Sequence, residues 1–234
     1  MEGGVLMFTT GPPSTVGYLD RNRIQFFQSG FSSVLSLDFP ETVVRDLEVV
    51  NRRMLQTLLA SFLRDHAIRP SLLILVLSEA SYFSQTLNGE EREKELQLQQ
   101  FIDTIPFDTV YSKRYTVDEK DVGIVVPKNF SETVQQIVEG EGFRVVAVVP
   151  VFFLGSLQAG KRWLDADMGK YAFKEVNALA HQSMWHTNEA FGASPTMTNS
   201  VVKDFVSKHQ SLTILVALFM ILTIILILVM LRSR

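Results

Sequence analysis

The chain of 234 residues contains no cysteine. That excludes a disulfide framework and a thiolate nucleophile, and it removes one argument for an oxidising compartment. A marked excess of charge of either sign is also missing. The 22 Lys and Arg stand against 25 Asp and Glu, for a net charge of -3, and no local run of basic residues occurs, so no nucleic-acid surface is expected. There is no internal repeat. No GxxxxGK[ST] surrounds Gly160-Lys161, so a phosphate loop is not expected there, and no serine sits in a GxSxG elbow. The opening MEGGVLMFTTGPPS lacks a basic region followed by an apolar core, and is therefore not read as a secretory signal.

What the chain does have is one long apolar run, Leu212 to Leu231, with no charge and only Thr213 and Thr223 as polar side chains. At 1.5 Å rise per residue, roughly 20 such residues span about 30 Å, the thickness of a bilayer's hydrocarbon core. The run predicts a transmembrane helix over 211–231, with Leu212, Leu215, Phe219, Leu222, Ile225, Leu228 and Leu231 among its lipid-facing and packing residues and 232–234 as a short tail. Lys203, Lys208 and His209 on one side and Arg232 and Arg234 on the other barely discriminate orientation by positive charge. Translocating a three-residue tail is easier than translocating some 200 residues, so the large domain is expected in the cytoplasm, on a single-pass anchor in the inner or cytoplasmic membrane.

Ahead of the anchor, residues 1–15 read as a loose N-terminus, 16–155 as one domain and 156–210 as an amphipathic helix with a juxtamembrane linker. Val16 to Gln28 predicts a hairpin turning at Asp20-Arg21-Asn22, and Ser33 to Phe39 a third strand. A long helix is expected from Val44 to His66, because Val50, Met54, Leu55, Leu58, Leu59, Phe62 and Leu63 recur at three and four residues. Leu72 to Leu77 is an unbroken apolar run, the mark of a central strand covered on both faces. Glu90 to Gln100 opens a second helix that ends near Ile105-Pro106, followed by an edge strand at Tyr111 to Thr116 and a buried strand at Val122 to Val126. Asn129, with Glu132 three residues on, predicts a capped helix that stops at Gly140 and Gly142. Phe143 to Val151 returns as a strand. Helices flanking a mixed sheet make the expected class α/β. Trp163 to Leu179 is amphipathic and is open to two readings, a helix closing the domain or a helix lying on a membrane or partner.

Ile105-Pro106-Phe107-Asp108 and VGIVVPKNFSETVQQIVEGEGFRVVAVVP from Val122 to Pro150 resemble the actin-like cytoplasmic assembly proteins of type IV pilus and type II secretion machines. Val44 to Leu77 is similar to that family's first long helix and following strand, so the resemblance covers roughly 16–154. It implies a reduced actin-like, ribonuclease H-like domain. It also implies a non-catalytic scaffold that binds bitopic pilus or secretion platform proteins and an assembly ATPase. Actin-like nucleotide binders resemble one another in a first hairpin of the type Asp-x-Gly, whose glycine lets the backbone approach phosphate and whose aspartate holds the metal. Here the hairpin reads Gly17-Tyr18-Leu19-Asp20-Arg21-Asn22-Arg23. No glycine follows Asp20 at that offset, and Arg21 and Arg23 take the turn, a degenerate phosphate hairpin. No cofactor, no metal and no enzymatic activity are therefore expected.

Two rival readings stand beside this one. The first is a membrane-anchored adaptor unrelated to pili. The second is a metal-dependent enzyme of ribonuclease H-like type, with Asp20 and Glu79 as two of the three carboxylates such chemistry needs. His181, His186 and Glu189 are the best other metal candidates, but their spacing does not place them on one helical face. Asp165 and Asp167 read as a solvated helix start.

Overall fold

A computed structural model of the chain describes residues 14–158 and 163–185. The first hairpin forms as its alternation dictates: β1 (Ser14–Asp20) and β2 (Arg23–Gln28) are antiparallel, with Asp20 opposite Arg23. The short strand β3 (Leu35–Asp38) pairs with the outer edge of β2.

The sequence expects helix from Val44, but the chain makes a two-residue ladder there, β4 (Val44–Arg45) against β5 (Glu48–Val49). Asp46 and Leu47 turn between them with φ of 51° and 65°, a left-handed pair that no α-helix contains. The helix α1 (Arg52–Asp65) begins only after Asn51, whose side-chain oxygen accepts from Met54 N at 3.0 Å. The apolar spacing misleads at its start. Val50 and Met54 are about half exposed, whereas Leu55, Leu59, Phe62 and Leu63 are buried.

The strand β6 (Leu72–Leu77) lies parallel to β1 on the side away from β2. Its unbroken apolar run is explained by its position, since Leu73, Leu75 and Leu77 enter one core and Ile74 and Val76 the other. The next stretch was not legible as a strand. Phe83–Leu87 is β7, with three exposed polar residues at its centre. The helix α2 (Glu91–Thr104) carries a capping box of Glu90 and Glu93. The strands β8 (Val110–Val117) and β9 (Lys120–Pro127) follow, and the order β7-β9-β8 makes a separate antiparallel sheet where the sequence suggested a single mixed one.

The helix α3 (Lys128–Gly140) starts directly from β9 with Pro127 at its N-cap and no side-chain cap. The expected Asn129–Glu132 capping box does not form. Asn129 Oδ1 instead accepts from Val49 N at 3.1 Å and ties α3 to β5. Gly142, at φ 91°, turns the chain back into β10 (Arg144–Pro150), parallel to β6. The main sheet thus has the order β10-β6-β1-β2-β3, three antiparallel strands continued by two parallel ones. The fold is mixed α/β with flanking helices.

The opposite face of this sheet is covered by α4 (Ala166–Lys174) and α5 (Val176–His181). Leu164, Met168, Ala172 and Leu179 are buried against Val16, Phe27, Ile74 and Val76. Asp165 caps α4 by accepting from Met168 N at 2.9 Å, the helix-start role its position suggested. The apolar side of the amphipathic stretch therefore faces this sheet. The predicted transmembrane residues, Leu212 to Leu231, lie outside the described residues. Among the described residues no helix is long and apolar enough to cross a membrane.

Candidate functional site

Strand pairing brings Asp20, Arg21 and Arg23 to one place, the tip of the β1–β2 hairpin. This tip lies at the C-terminal ends of the parallel strands β1 and β6, the end where ligands of open α/β sheets collect. Asp20 closes β1, and its Oδ1 accepts from Arg21 N at 2.9 Å and from Ser78 Oγ at 2.6 Å. Ser78 follows β6 directly and donates its own N–H to Leu19 O at 2.9 Å. The aspartate therefore locks two strand ends together and takes up the first backbone donor of the turn.

Both arginines also face carboxylates. Arg21 pairs with Asp46 from the β4–β5 turn. Arg23 Nε lies 2.9 Å from Asp38 Oδ1 at the end of β3, and the guanidinium sits 4.5 Å from the centre of the Trp163 ring. Two cations among Asp20, Asp38 and Asp46 leave the tip without excess positive charge. A phosphate cradle needs several free backbone N–H groups converging where no Cβ intrudes. Asp20 already holds the Arg21 N–H, and Arg21 and Asn22 both carry side chains into the turn.

Beneath the tip lie two buried tyrosines, Tyr18 and Tyr82. Burial first, then the carboxylates of Asp20 and Glu79, push the Tyr18 hydroxyl well above the usual phenol range. Burial followed by Glu79 and Tyr18 does the same to Tyr82. Asp20 and Glu79 thus share this end of the sheet, as the enzymatic rival requires. A third carboxylate does not join them: among the described residues no three His, Cys, Asp or Glu side chains come within reach of one metal ion. His181 lies exposed at the end of α5, and His186 and Glu189 lie outside the described residues, as does Gly160-Lys161.

Sequence reasoning missed Asp46, Asp38 and Trp163 as partners of the arginines. Asp46 was hidden by the misread start of α1. Asp38 was legible in principle, because a hairpin followed by a third strand places residues 23 and 38 opposite each other. Nothing local announces Trp163, which is held near the tip by its neighbour Leu164, whose N–H donates to Gln25 Oε1 of β2 at 2.9 Å.

No family model matches the chain, and no curated protein matches it. Among solved structures it is similar to the PilM–PilN type IV pilus biogenesis complex, at 11% identity over 62% of this chain and 49% of that one, with a TM-score of 0.45. It is similar to the cytoplasmic domain of EpsL, an inner membrane component of the type II secretion system of Vibrio cholerae, at 13% identity over 61% and 58% with a TM-score of 0.37. A Bacteroides thetaiotaomicron protein with an actin-like ATPase fold is similar at 7% identity over 63% and 56%, TM-score 0.37. The chain spans between 49% and 58% of the length of these structures.

Proposed function

We propose that this chain is a membrane-anchored, non-catalytic scaffold. On this reading its N-terminal domain lies in the cytoplasm and binds partner proteins at an inner-membrane platform of the type IV pilus or type II secretion kind. The observation that carries the non-catalytic part is the hairpin tip. Arg21 is paired with Asp46, Arg23 lies against Asp38 and Trp163, and the aspartate is bonded to its own turn and to Ser78. A reduced actin-like domain with such a tip is a pseudo-ATPase.

The sheet of three antiparallel and two parallel strands supports the actin-like reading. The apolar run at 212–231 supports the anchor. The partner class, bitopic platform proteins and an assembly ATPase, rests on the resemblance carried by Val44 to Leu77 and Val122 to Pro150. An anchored adaptor outside pili shares every feature except that resemblance.

Two measurements on the full chain test this reading. After alkaline carbonate washing of membranes the protein stays in the pellet; its release would overturn the anchor. Equilibrium binding of MgATP to the detergent-solubilised chain at cellular nucleotide concentration gives no saturable signal; saturable binding would overturn the pseudo-ATPase assignment.

A further inference from the structure

The outer edge of β10 is the end of the five-stranded sheet, and an unpaired edge of apolar strand is a liability. Four residues after α5 cover it. Val148 N donates to Ser183 Oγ at 3.0 Å, and Met184 N donates to Val148 O at 2.7 Å. The same four residues reach the second sheet. Lys113 Nζ donates to Ser183 O at 2.6 Å, and the Tyr115 hydroxyl donates to Gln182 O at 2.8 Å, both from β8. Trp185 stacks on Tyr111 with ring centres 4.3 Å apart and donates its indole N–H to Gln135 Oε1 of α3 at 2.8 Å. Met184 is buried in the core beside Tyr115.

Most of these contacts end on groups that water can satisfy once the segment lifts away. Gln182 is exposed, and Ser183 and Trp185 are only partly buried. Burial lowers the pKa of the Lys113 ammonium, so rehydration of that cation favours the lifted form. A segment at the margin of a domain whose contacts are rehydrated on lifting opens locally, at a free energy below that of global unfolding.

We propose that Gln182–Trp185 is a releasable clasp, which closes the outer edge of β10, ties β8 and α3 to it, and opens as a unit while the rest of the domain stays folded. In the open form the N–H and C=O of Val148 are free for pairing, and Tyr111, Tyr115 and Gln135 lose their cover.

The test is hydrogen exchange resolved to single amides, on the full chain in detergent. The amides of Val148 and Met184 are bonded only across the clasp, and those of Leu73 to Leu77 report the centre of the sheet. In the unmodified chain, Val148 and Met184 exchange together and about 100-fold or more faster than Leu73 to Leu77. Ser183→Ala and Trp185→Ala each speed exchange at Met184 by about tenfold, with Leu73 to Leu77 unchanged, whereas Lys174→Ala on the exposed side of α4 changes neither. Exchange at Val148 and Met184 as slow as in β6 would show that the segment leaves only with global unfolding, and would overturn the clasp even if a variant failed to fold. Exchange at Met184 that ignores Trp185→Ala would show that the four residues do not act as one unit, and would overturn it as well.

Discussion

Replacing Gly169 with alanine tests whether α4 rests on the sheet in the way the fold requires. Gly169 is buried in the middle of α4, and a Cβ built there would meet the ring of Phe27, with Cε1 and Cγ at 2.9 Å and Cδ1 closer still. Phe27 is 3% exposed and is itself stacked on Phe173 with ring centres 5.8 Å apart, so the ring has no free direction of retreat. Forcing a methyl into such a contact costs about 1–3 kcal/mol. Alanine regains about 1 kcal/mol of helix propensity over glycine, so the net loss is on the order of 1 kcal/mol. For a domain of this size that lowers Tm by about 2–4 °C.

The assay is thermal unfolding of the full chain in detergent, followed by tryptophan fluorescence. Trp163 and Trp185, which flank the α4–α5 pair, are the chain's two tryptophans. The decisive comparison is made in a Phe27→Leu background, where the ring is gone. There Gly169→Ala is neutral or stabilising, because only the propensity gain remains. A Gly169→Ala protein at or above the unmodified Tm, with no dependence on residue 27, would refute the packing of α4 on β2.

Three further outcomes follow from single observations. Asn51→Ala removes the side-chain acceptor for Met54 N and lowers stability by about 1 kcal/mol in chemical denaturation. The Lys94 ammonium, and after it the Thr116 hydroxyl, hold the Asp121 carboxyl below its ordinary value. Its contribution is therefore complete above the usual aspartate range and is lost as pH falls through the depressed pKa, so Lys94→Met flattens that part of the acid-unfolding profile. Burial raises the pKa of Tyr18, Tyr82 and Tyr115, so stability is complete below the ordinary tyrosine pKa of about 10 and declines as pH rises beyond it. Ultraviolet titration shows these three ionising with unfolding; early, reversible ionisation in the native protein would contradict their burial.

Much of the architecture was legible where burial imposes a period. The unbroken run of β6, the alternation of β1 and β2, and the glycine turn at Gly142 each have one local solution. Reading failed where tertiary contacts decide. Val50 and Met54 extend the apolar stripe of α1 without being buried. Asn129 satisfies a capping pattern, yet its Oδ1 accepts from Val49 N on another element. Ser84, Gln85 and Thr86 become a strand only because β9 lies beside them. The site divides in the same way. The absence of a glycine after Asp20 is a local fact, whereas the engagement of Arg21 by Asp46 and of Arg23 by Trp163 depends on chain segments distant in sequence.

The central claim, a scaffold in an inner-membrane assembly platform, is tested most directly by its companions. The full chain, tagged at the N-terminus and solubilised gently from native membranes, is captured and its stoichiometric partners are identified by mass spectrometry. The account predicts a bitopic pilus or secretion platform protein together with an assembly ATPase, in amounts matching the bait. An abundant, intact bait that brings down neither would contradict it.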